Sequence, residues 1–246
     1  MKKLIVTADD VGLHRGMTEG AIRAHREGIV TACSIVANGR AFDDAVDRLR
    51  DVPSLEVGVH LAMVEELALT SNERMPKNWV RFMFAKHDNL DVELRSQIEK
   101  VLETGLRVTH LNSHQHLHMF PRLFKLARLL ASVYDIPYIR RVNDHGGRAG
   151  PVRRAAVGAL NWFGRRAEGS NDRTIGVRGA GHLGDVEPLL DDVEGVTELV
   201  AHPGIGVDRY AHWKYEWEME TKALCKPGLR EVLTRRGIEL IAPSEV

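Results

Sequence analysis

The chain has 246 residues, a length that suits a single α/β domain covering residues 1–246. Its 34 Lys and Arg residues balance 34 Asp and Glu residues, which argues against nucleic acid or an anionic membrane as the main partner. The 2 cysteines do not indicate a disulfide framework, and the apolar run after Lys3 is too short for a signal peptide or a transmembrane segment. We therefore expect a cytoplasmic protein.

Apolar, β-branched segments alternate with segments of helical periodicity along the chain. The predicted strands cover residues 4–7, 31–37, 55–60, 108–111, 138–142, 195–201 and 238–241. The predicted helices cover residues 18–28, 41–49, 93–102, 121–134, 152–163, 218–224 and 228–235. Strand–helix–strand repetition predicts an α/β fold of parallel strands joined by crossover helices.

Acidic and histidine side chains, which can act in catalysis or bind a metal, follow several predicted strands. The first strand leads to Asp9 and Asp10, the third ends at His60, and the strand over 195–201 is followed by His202. Because the carboxyl ends of parallel strands meet at one face of an α/β barrel, we expect these groups to lie together. Acid and histidine side chains from separate strand ends are typical of a metal-dependent enzyme.

The adjacent aspartates suit two different tasks. A lone Asp-Asp pair is more often a turn or a helix cap. On extended backbone, however, neighbouring side chains point in different directions. One carboxylate can then bind a metal while the other faces the attacking water, which supplies the ligand and the base that hydrolysis needs.

The segment 109–118 is rich in histidine. On an extended strand, alternation places five side chains on one side: His110, Asn112, His114, His116 and His118. Pro121 and the helix after it indicate that the chain turns soon after His114. One or two of these imidazoles are therefore predicted to bind metal, and the others to support the ligands or touch substrate. A histidine-rich surface loop is the alternative.

The remaining candidates have weaker patterns. His202 suits a general acid or an ordinary loop histidine, whereas four others are predicted at the surface: His14, His25, His87 and His212. Six aromatic residues suit either a sugar-binding wall or the core: Trp79, Phe82, Phe84, Trp213, Tyr215 and Trp217. The basic stretch from Arg140 to Arg173 is predicted to be solvated surface, including Arg153, Arg154, Arg165 and Arg166.

The sequence motifs of other catalytic classes are absent from the chain. The chain has neither a common phosphate-binding glycine loop nor a G-x-S-x-G elbow, and neither cysteine adjoins a base. One carboxylate with two imidazoles suits Zn²⁺ or another late divalent metal, whereas Mg²⁺, which stays an option, prefers oxygen ligands. Three protein ligands leave positions open for water and substrate.

Five segments occur here in the order seen in the YdjC-like carbohydrate deacetylases, which the chain resembles over nearly its whole length. These segments are residues 7–13, 28–31, 58–61, 109–121 and 202–203. The resemblance is weakest over about 65–90 and 143–185. It implies a distorted (β/α) barrel and metal-dependent removal of the acetyl group from an N-acetylated amino sugar.

The resemblance also implies residue roles. Asp10, His60 and His114 match the metal ligands, Asp9 matches the catalytic base, and His202 matches the proton donor. Asn112, His116 and His118 are then expected to support the ligands or contact substrate. Two positions depart from the family pattern: Val11 replaces a common Phe, and Asn112 replaces a common Asp, which removes a charge behind the ligands.

The leading hypothesis is therefore a carbohydrate N-deacetylase. One alternative is a metal-dependent hydrolase of another amide or ester, and the other is a non-catalytic metal-binding or sugar-binding protein. Retention of both Asp9 and His202 argues against the second, because binding alone requires neither. The sequence leaves open which sugar is the substrate and whether the protein is a homo-oligomer.

Overall fold

The computed structural model describes residues 2–86, 88–146, 150–165 and 167–246. The strands are β1 (Lys2–Val11), β2 (Ala32–Ile35), β3 (Glu56–Leu61), β4 (Val108–Ser113), β5 (Tyr138–Ile139), β6 (Arg173–Ile175), β7 (Val196–Ala201) and β8 (Ile238–Leu240). The α-helices are α1 (Arg15–Arg26), α2 (Phe42–Arg50), α3 (Trp79–Phe84), α4 (Leu90–Leu102), α5 (Pro121–Val133), α6 (Pro151–Gly164), α7 (Trp217–Leu224) and α8 (Leu229–Arg235). Within these residues, no helix has the length and apolar character needed to cross a bilayer.

The strands form one parallel sheet in the order β5-β4-β3-β2-β1-β7-β6, with β8 paired to β1. Strand β1 is central: it pairs with β7 from Lys3 to Ala8 and with β8 over Lys2 to Leu4. Further along, from Thr7 to Val11, it pairs with β2. Since every pairing is parallel, the carboxyl ends of the strands lie at one end of the sheet.

The sheet is a curled half-barrel. Among the described residues, β5 and β6 end the sheet and share no strand ladder. Loop contacts connect the two sides instead: Ser170 N donates to Ile139 O at 2.9 Å, and Thr174 N donates to Asn143 O at 3.3 Å. The predicted α/β fold of parallel strands in a distorted barrel is confirmed.

The core explains why these segments form strands and helices. Strand β1 is buried from Leu4 to Val11, as expected for a strand covered on both faces. Helix α1 turns Met17, Ala21 and Ala24 inward, at helical spacing. Gly58 in β3 leaves room for the His110 ring of β4, because a Cβ there would lie 2.2 Å from that ring. The parallel pairing of β3 with β4 continues from there to His60 opposite Asn112 and Leu61 opposite Ser113.

Two elements were not predicted from the sequence. Helix α3 has one turn and a half, too short for a periodic signal, and β6 has 3 residues inside the stretch of weak pattern. Strand β1 also continues through Asp9 and Asp10, beyond the predicted end at residue 7. Conversely, β5 ends at Ile139, earlier than predicted, so Arg140 follows a strand end directly.

Candidate active site

The carboxyl end of β1 is irregular at the two aspartates. Its register with β2 shifts between Ala8 and Val11, and Asp10 has a φ of 65°. This left-handed conformation is uncommon outside glycine and is strained, although Asp tolerates it better than most residues. Both carboxylates are buried and face the same histidine: His60 Nδ1 lies 3.8 Å from Asp9 Oδ1, and His60 Nε2 lies 3.3 Å from Asp10 Oδ1. The irregularity thus brings both acids to one site.

Asp10, His60 and His114 converge at the ends of β1, β3 and β4. One donor atom from each lies within 4.8 Å of the others. His114 Nδ1 is 2.9 Å from Asp10 Oδ1, and His60 Nε2 is 3.3 Å from the same oxygen. Donor atoms about 2.1 Å from a tetrahedral ion lie roughly 3.4 Å apart, so this spacing is compatible with a divalent metal.

The hydrogen bonds around the two imidazoles also fit a metal. His60 Nδ1 donates to Asn112 Oδ1 at 2.7 Å, and Nε2 is the ring nitrogen that faces Asp10. Such a contact fixes the tautomer of a metal-binding histidine. Within the described chain, His114 Nε2 is buried without a hydrogen-bond partner, and Glu65 Oε2 is 3.4 Å away. The nitrogens that face Asp10 are His60 Nε2 and His114 Nδ1, whereas the unpartnered His114 Nε2 faces Glu65.

Charge pairing dominates the protonation of this cluster. Burial alone would raise the pKa of Asp10, but His114 and His60 hold the pKa well below its usual value. Burial opposes the imidazolium form of His114, yet Asp10 and then Glu65 raise its pKa to about 10. Without an ion, therefore, a proton bridges His114 and Asp10 at neutral pH.

Asp9 is held by an arginine that the sequence did not single out. Arg140 Nη1 donates to Asp9 Oδ2 at 2.5 Å and Nη2 donates to Asp9 Oδ1 at 2.9 Å. Burial opposes ionisation of Asp9, but Arg140 and then His60 lower its pKa. Asp9 is therefore ionised and fixed in orientation.

Arg140 is in turn fixed by a second buried acid. Its Nε and Nη2 donate to Glu198 Oε1 at 3.0 and 2.8 Å. Glu198 also accepts hydrogen bonds from Thr7 Oγ1 at 2.7 Å and from the Tyr138 hydroxyl at 2.9 Å. The prediction that Arg140 belongs to a solvated surface is wrong: its exposed fraction is 0%, because two buried carboxylates pair with it.

Asn112 connects the aspartate held by Arg140 with the candidate ligands. Besides accepting from His60, its Nδ2 donates to Asp9 Oδ1 at 3.2 Å and to Ser34 Oγ at 2.7 Å. A carboxylate at position 112 would accept from His60 but could not donate to Asp9. The amide therefore makes a hydrogen bond that an aspartate could not make here.

His202 lies on the opposite side of Asp10. Its Nε2 is 3.9 Å from Asp10 Oδ2, and its Nδ1 is 3.8 Å from Glu220 Oε2. The ring of Tyr215 stands edge-on, with the ring centroids 5.1 Å apart. The backbone N–H of His202 donates to the buried Glu220 at 2.5 Å. His202 is thus part of the site and is anchored through its backbone.

The two later histidines of the 109–118 segment differ from the candidate ligands. The chain turns at Gln115 and His116, whose φ values are 53° and 54°, as the sequence predicted. His118 Nδ1 lies 2.7 Å from Ser113 Oγ, and Nε2 lies 3.0 Å from Arg140 O. Burial lowers the pKa of His118 to about 4 and that of His116 well below its usual value. His118 therefore supports the backbone that carries Arg140.

Aromatic residues and Glu65 form the rim of the site. Glu65 Oε2 accepts from Trp213 Nε1 at 3.0 Å, and the Trp213 and His114 ring centroids are 5.1 Å apart. Tyr215 packs against Trp213 with 5.6 Å between centroids. The aromatic residues thus divide: Trp213 and Tyr215 adjoin the site, Phe82 and Trp217 are buried, and Trp79 and Phe84 are exposed.

The sequence did not identify Arg140, Glu65 or Glu198 as site residues. Glu65 had a weak signal, because it closely follows the strand that ends in His60, whereas Glu198 lies inside an apolar strand. Of the histidines predicted at the surface, His212 is exposed and His14 and His25 are half-buried. His87 and Arg166 lie outside the described residues.

Three comparisons relate this geometry to known proteins. A family model for YdjC-like proteins matches residues 3–235. A carbohydrate deacetylase from Brevibacillus brevis is 34% identical over 143 residues, which cover 55% of this chain and 58% of that relative, little more than half its length. The crystal structure of a proposed cellobiose-phosphate cleavage protein from Enterococcus faecalis V583 has a TM-score of 0.73 at 22% identity, over 99% of this chain and 98% of that one. The chain belongs to the YdjC-like protein family.

Proposed function

We propose that this protein hydrolyses the acetamido group of an N-acetylated amino sugar in a metal-dependent reaction. The observation that carries the proposal is the convergence of Asp10, His60 and His114 beside a separate, ionised carboxylate, Asp9. The family membership and the name of the Brevibacillus brevis relative support a carbohydrate substrate. The same arrangement on another amide or ester is the nearest alternative.

Asp10, His60 and His114 would hold the divalent ion. When bound, such an ion supplies the Lewis acidity that polarises an acetyl carbonyl and makes water more acidic. Two imidazole nitrogens with one carboxylate oxygen favour Zn²⁺ over Mg²⁺. Asn112 would keep the His60 ring in its binding tautomer through the 2.7 Å hydrogen bond.

Asp9 would act as the general base. Its carboxylate accepts the proton that the attacking water loses, while Arg140 keeps it aimed by two hydrogen bonds. Because the pKa of Asp9 is lowered, its carboxylate is a weak base. It therefore suits a water molecule that a bound ion has made more acidic. This is why the base and the ligand must be neighbours, as Asp9 and Asp10 are.

His202 would protonate the leaving amine. The ring lies across Asp10 from His60, and its Nε2 is the nitrogen nearer to the site. A sugar amine is a poor leaving group unless it gains a proton as the C–N bond breaks. Trp213 and Tyr215 then offer aromatic surface beside the site to the apolar face of a sugar ring.

The proposal is tested by assaying acetate release from a panel of N-acetylated sugars, with simple acetyl esters and acetylated peptides as comparison substrates. The protein is stripped of metal and refilled with single divalent ions. We expect the protein to release acetate and free amino sugar in equal amounts. Removal of the metal with a chelator should abolish this activity, and Zn²⁺ should restore it best. Activity confined to esters or peptides would favour the alternative hydrolase, and metal binding without turnover on any substrate would contradict the proposal.

A further inference from the structure

We propose that Glu65 is a positioning residue for the candidate metal site: its carboxylate accepts the Nε2 proton of His114 and so directs Nδ1 of that ring toward the ion. This inference rests on the part of the proposed function that assigns His114 to a divalent ion. Metal-binding histidines commonly donate their second ring nitrogen to a carboxylate or carbonyl oxygen, which fixes the tautomer and orientation of the ring. Glu65 would supply that oxygen from the loop after β3.

The two ring nitrogens of His114 face different acids. Nδ1 is 2.9 Å from Asp10 Oδ1, whereas Nε2 is 3.4 Å from Glu65 Oε2. Among the residues that the structure describes, the group of three candidate ligands does not include Glu65. Because the two nitrogens of an imidazole point in different directions, an acid at Nε2 does not compete with an ion at Nδ1. The positions of the two acids therefore suit a ligand on one side and a support on the other.

The Nε2 atom of His114 needs an acceptor once Nδ1 binds an ion. A neutral imidazole that binds through Nδ1 keeps its proton on Nε2. This nitrogen is buried and has no hydrogen-bond partner within the described part of the chain. An unsatisfied buried donor is unfavourable by about 1–3 kcal/mol. The 3.4 Å contact with Glu65 is long for a hydrogen bond, but bonds at such sites often tighten only when the ligand is bound.

Glu65 is held in place by groups other than His114. Its Oε2 accepts from Trp213 Nε1 at 3.0 Å, and its Oε1 accepts from Gln115 Nε2 at 3.2 Å. Its backbone N–H donates to Pro76 O at 2.9 Å. Both Glu65 and Gln115 have left-handed backbone, with φ values of 72° and 53°. Strained residues of this kind concentrate at functional sites, and here they fix the carboxylate beside His114.

The hydrogen bonds of Glu65 require a carboxylate at this position. Gln115 Oε1 accepts from Trp79 N at 3.2 Å, so the amide nitrogen of Gln115 is the end that faces Glu65. Both oxygens of Glu65 therefore meet N–H donors. A glutamine has only one oxygen, and its NH₂ group would face a donor from either Trp213 or Gln115. The negative charge and both acceptor oxygens are thus in use.

The two candidate imidazole ligands have supports of different charge. His60 Nδ1 donates to the neutral amide of Asn112 at 2.7 Å. His114 instead faces the carboxylate of Glu65, and an anionic partner makes an imidazole a stronger ligand than a neutral one does. Removing Glu65 should therefore weaken metal binding although no candidate ligand is lost.

The first test measures Zn²⁺ affinity by competition with a chromophoric chelator. Glu65→Gln should bind Zn²⁺ about 10- to 100-fold more weakly than the unchanged protein, the scale for loss of a supporting partner. Glu65→Asp keeps the charge on a shorter side chain and should lie between. The matched control is Glu66→Gln, which removes the same charge from the next residue, whose carboxylate accepts from the Tyr210 hydroxyl at 3.0 Å. It should change the affinity by less than about twofold.

The second test identifies the nitrogen that binds the ion. Heteronuclear NMR of the zinc-loaded protein reads each nitrogen of the His114 ring, and we expect Zn²⁺ on Nδ1 and a proton on Nε2. These results would support the inference even if no acetate were released, and the proposed reaction alone would then fail. Zn²⁺ on Nε2, or equal losses in Glu65→Gln and Glu66→Gln, would overturn it. Loss of the ion from Glu65→Gln as complete as from Asp10→Asn would also overturn it, because Glu65 would then be a ligand.

Discussion

The floor of the candidate active site and its rim are built in different ways. The floor consists of buried residues joined by hydrogen bonds between strand ends: Asp9, Asp10, His60, Asn112, His114 and Arg140. The rim consists of the loop and helix over residues 65–81 and the loop over 205–215, which carry exposed cations and aromatic rings. Loops positioned by a rigid scaffold commonly carry specificity. We therefore expect substitutions in the floor and in the rim to differ in their effects.

The largest effect on stability is expected at Arg140. Arg140→Met leaves Asp9 and Glu198 buried without their cation, so the free energy of unfolding should fall by about 3–5 kcal/mol. Urea denaturation measures it. As a control, Arg236→Gln removes a surface ion pair with Asp191 and should cost less than about 1 kcal/mol. Equal losses in the two variants would contradict the distinction between a buried floor and a solvated surface.

A proton-donor role for His202 predicts a loss that depends on the leaving group. His202→Ala should slow amide hydrolysis by about 10²-fold, because the departing amine needs a proton. An activated acetyl ester has a better leaving group and should be spared most of that loss. The two rates are compared at the same metal content. Equal slowing of both substrates would mean that His202 shapes the site without donating a proton.

Metal affinity should depend on pH through His114. Its pKa is raised to about 10, so the ring is protonated between pH 7 and 9 when no ion is bound. An ion needs the neutral imidazole, and binding must displace that proton. Apparent affinity should therefore rise about tenfold per pH unit in this range and fall as the pH is lowered. Calorimetry in buffers of different ionisation enthalpy measures the protons released, and a value near zero would contradict the His114–Asp10 pairing.

The rim should respond more weakly and mainly in KM. Trp213→Ala removes an aromatic surface beside His114 and should raise KM by roughly 2- to 12-fold, the equivalent of about 0.5–1.5 kcal/mol, with a smaller change in kcat. Trp213→Phe retains a ring but loses the hydrogen bond to Glu65, so its KM should lie between those of the unchanged protein and Trp213→Ala. Steady-state kinetics on the preferred sugar measure both. A loss of kcat comparable to that of a floor residue would show that the rim takes part in chemistry.

Much of the floor could be predicted because it follows from strand order. Asp10, His60 and His114 each come at the end of an apolar strand, and parallel strands place such ends together. The β1 bulge could not be predicted, since the φ of 65° at Asp10 depends on tertiary packing. It explains why adjacent acids share one site instead of pointing to opposite faces.

Arg140 and Glu65 could not be predicted for different reasons. Arg140 follows a strand of 2 residues and lies near other arginines, so local composition indicated solvent. Its burial depends on Asp9 and Glu198, which are 131 and 58 residues distant in sequence. Glu65 belongs to a loop without periodicity. It contacts His114 directly and accepts a hydrogen bond from Trp213, which is 148 residues distant in sequence.

The central claim is that Asp10 binds the ion while Asp9 moves the proton, and paired measurements of metal content and turnover test it most directly. Asp9→Asn and Asp10→Asn are each stripped, refilled with Zn²⁺, dialysed and assayed for acetate release. We expect Asp10→Asn to lose the ion, and Asp9→Asn to retain about one ion per chain while turnover falls by about 10²-fold or more. Loss of the ion from Asp9→Asn, or its retention by Asp10→Asn, would contradict this division between the two aspartates.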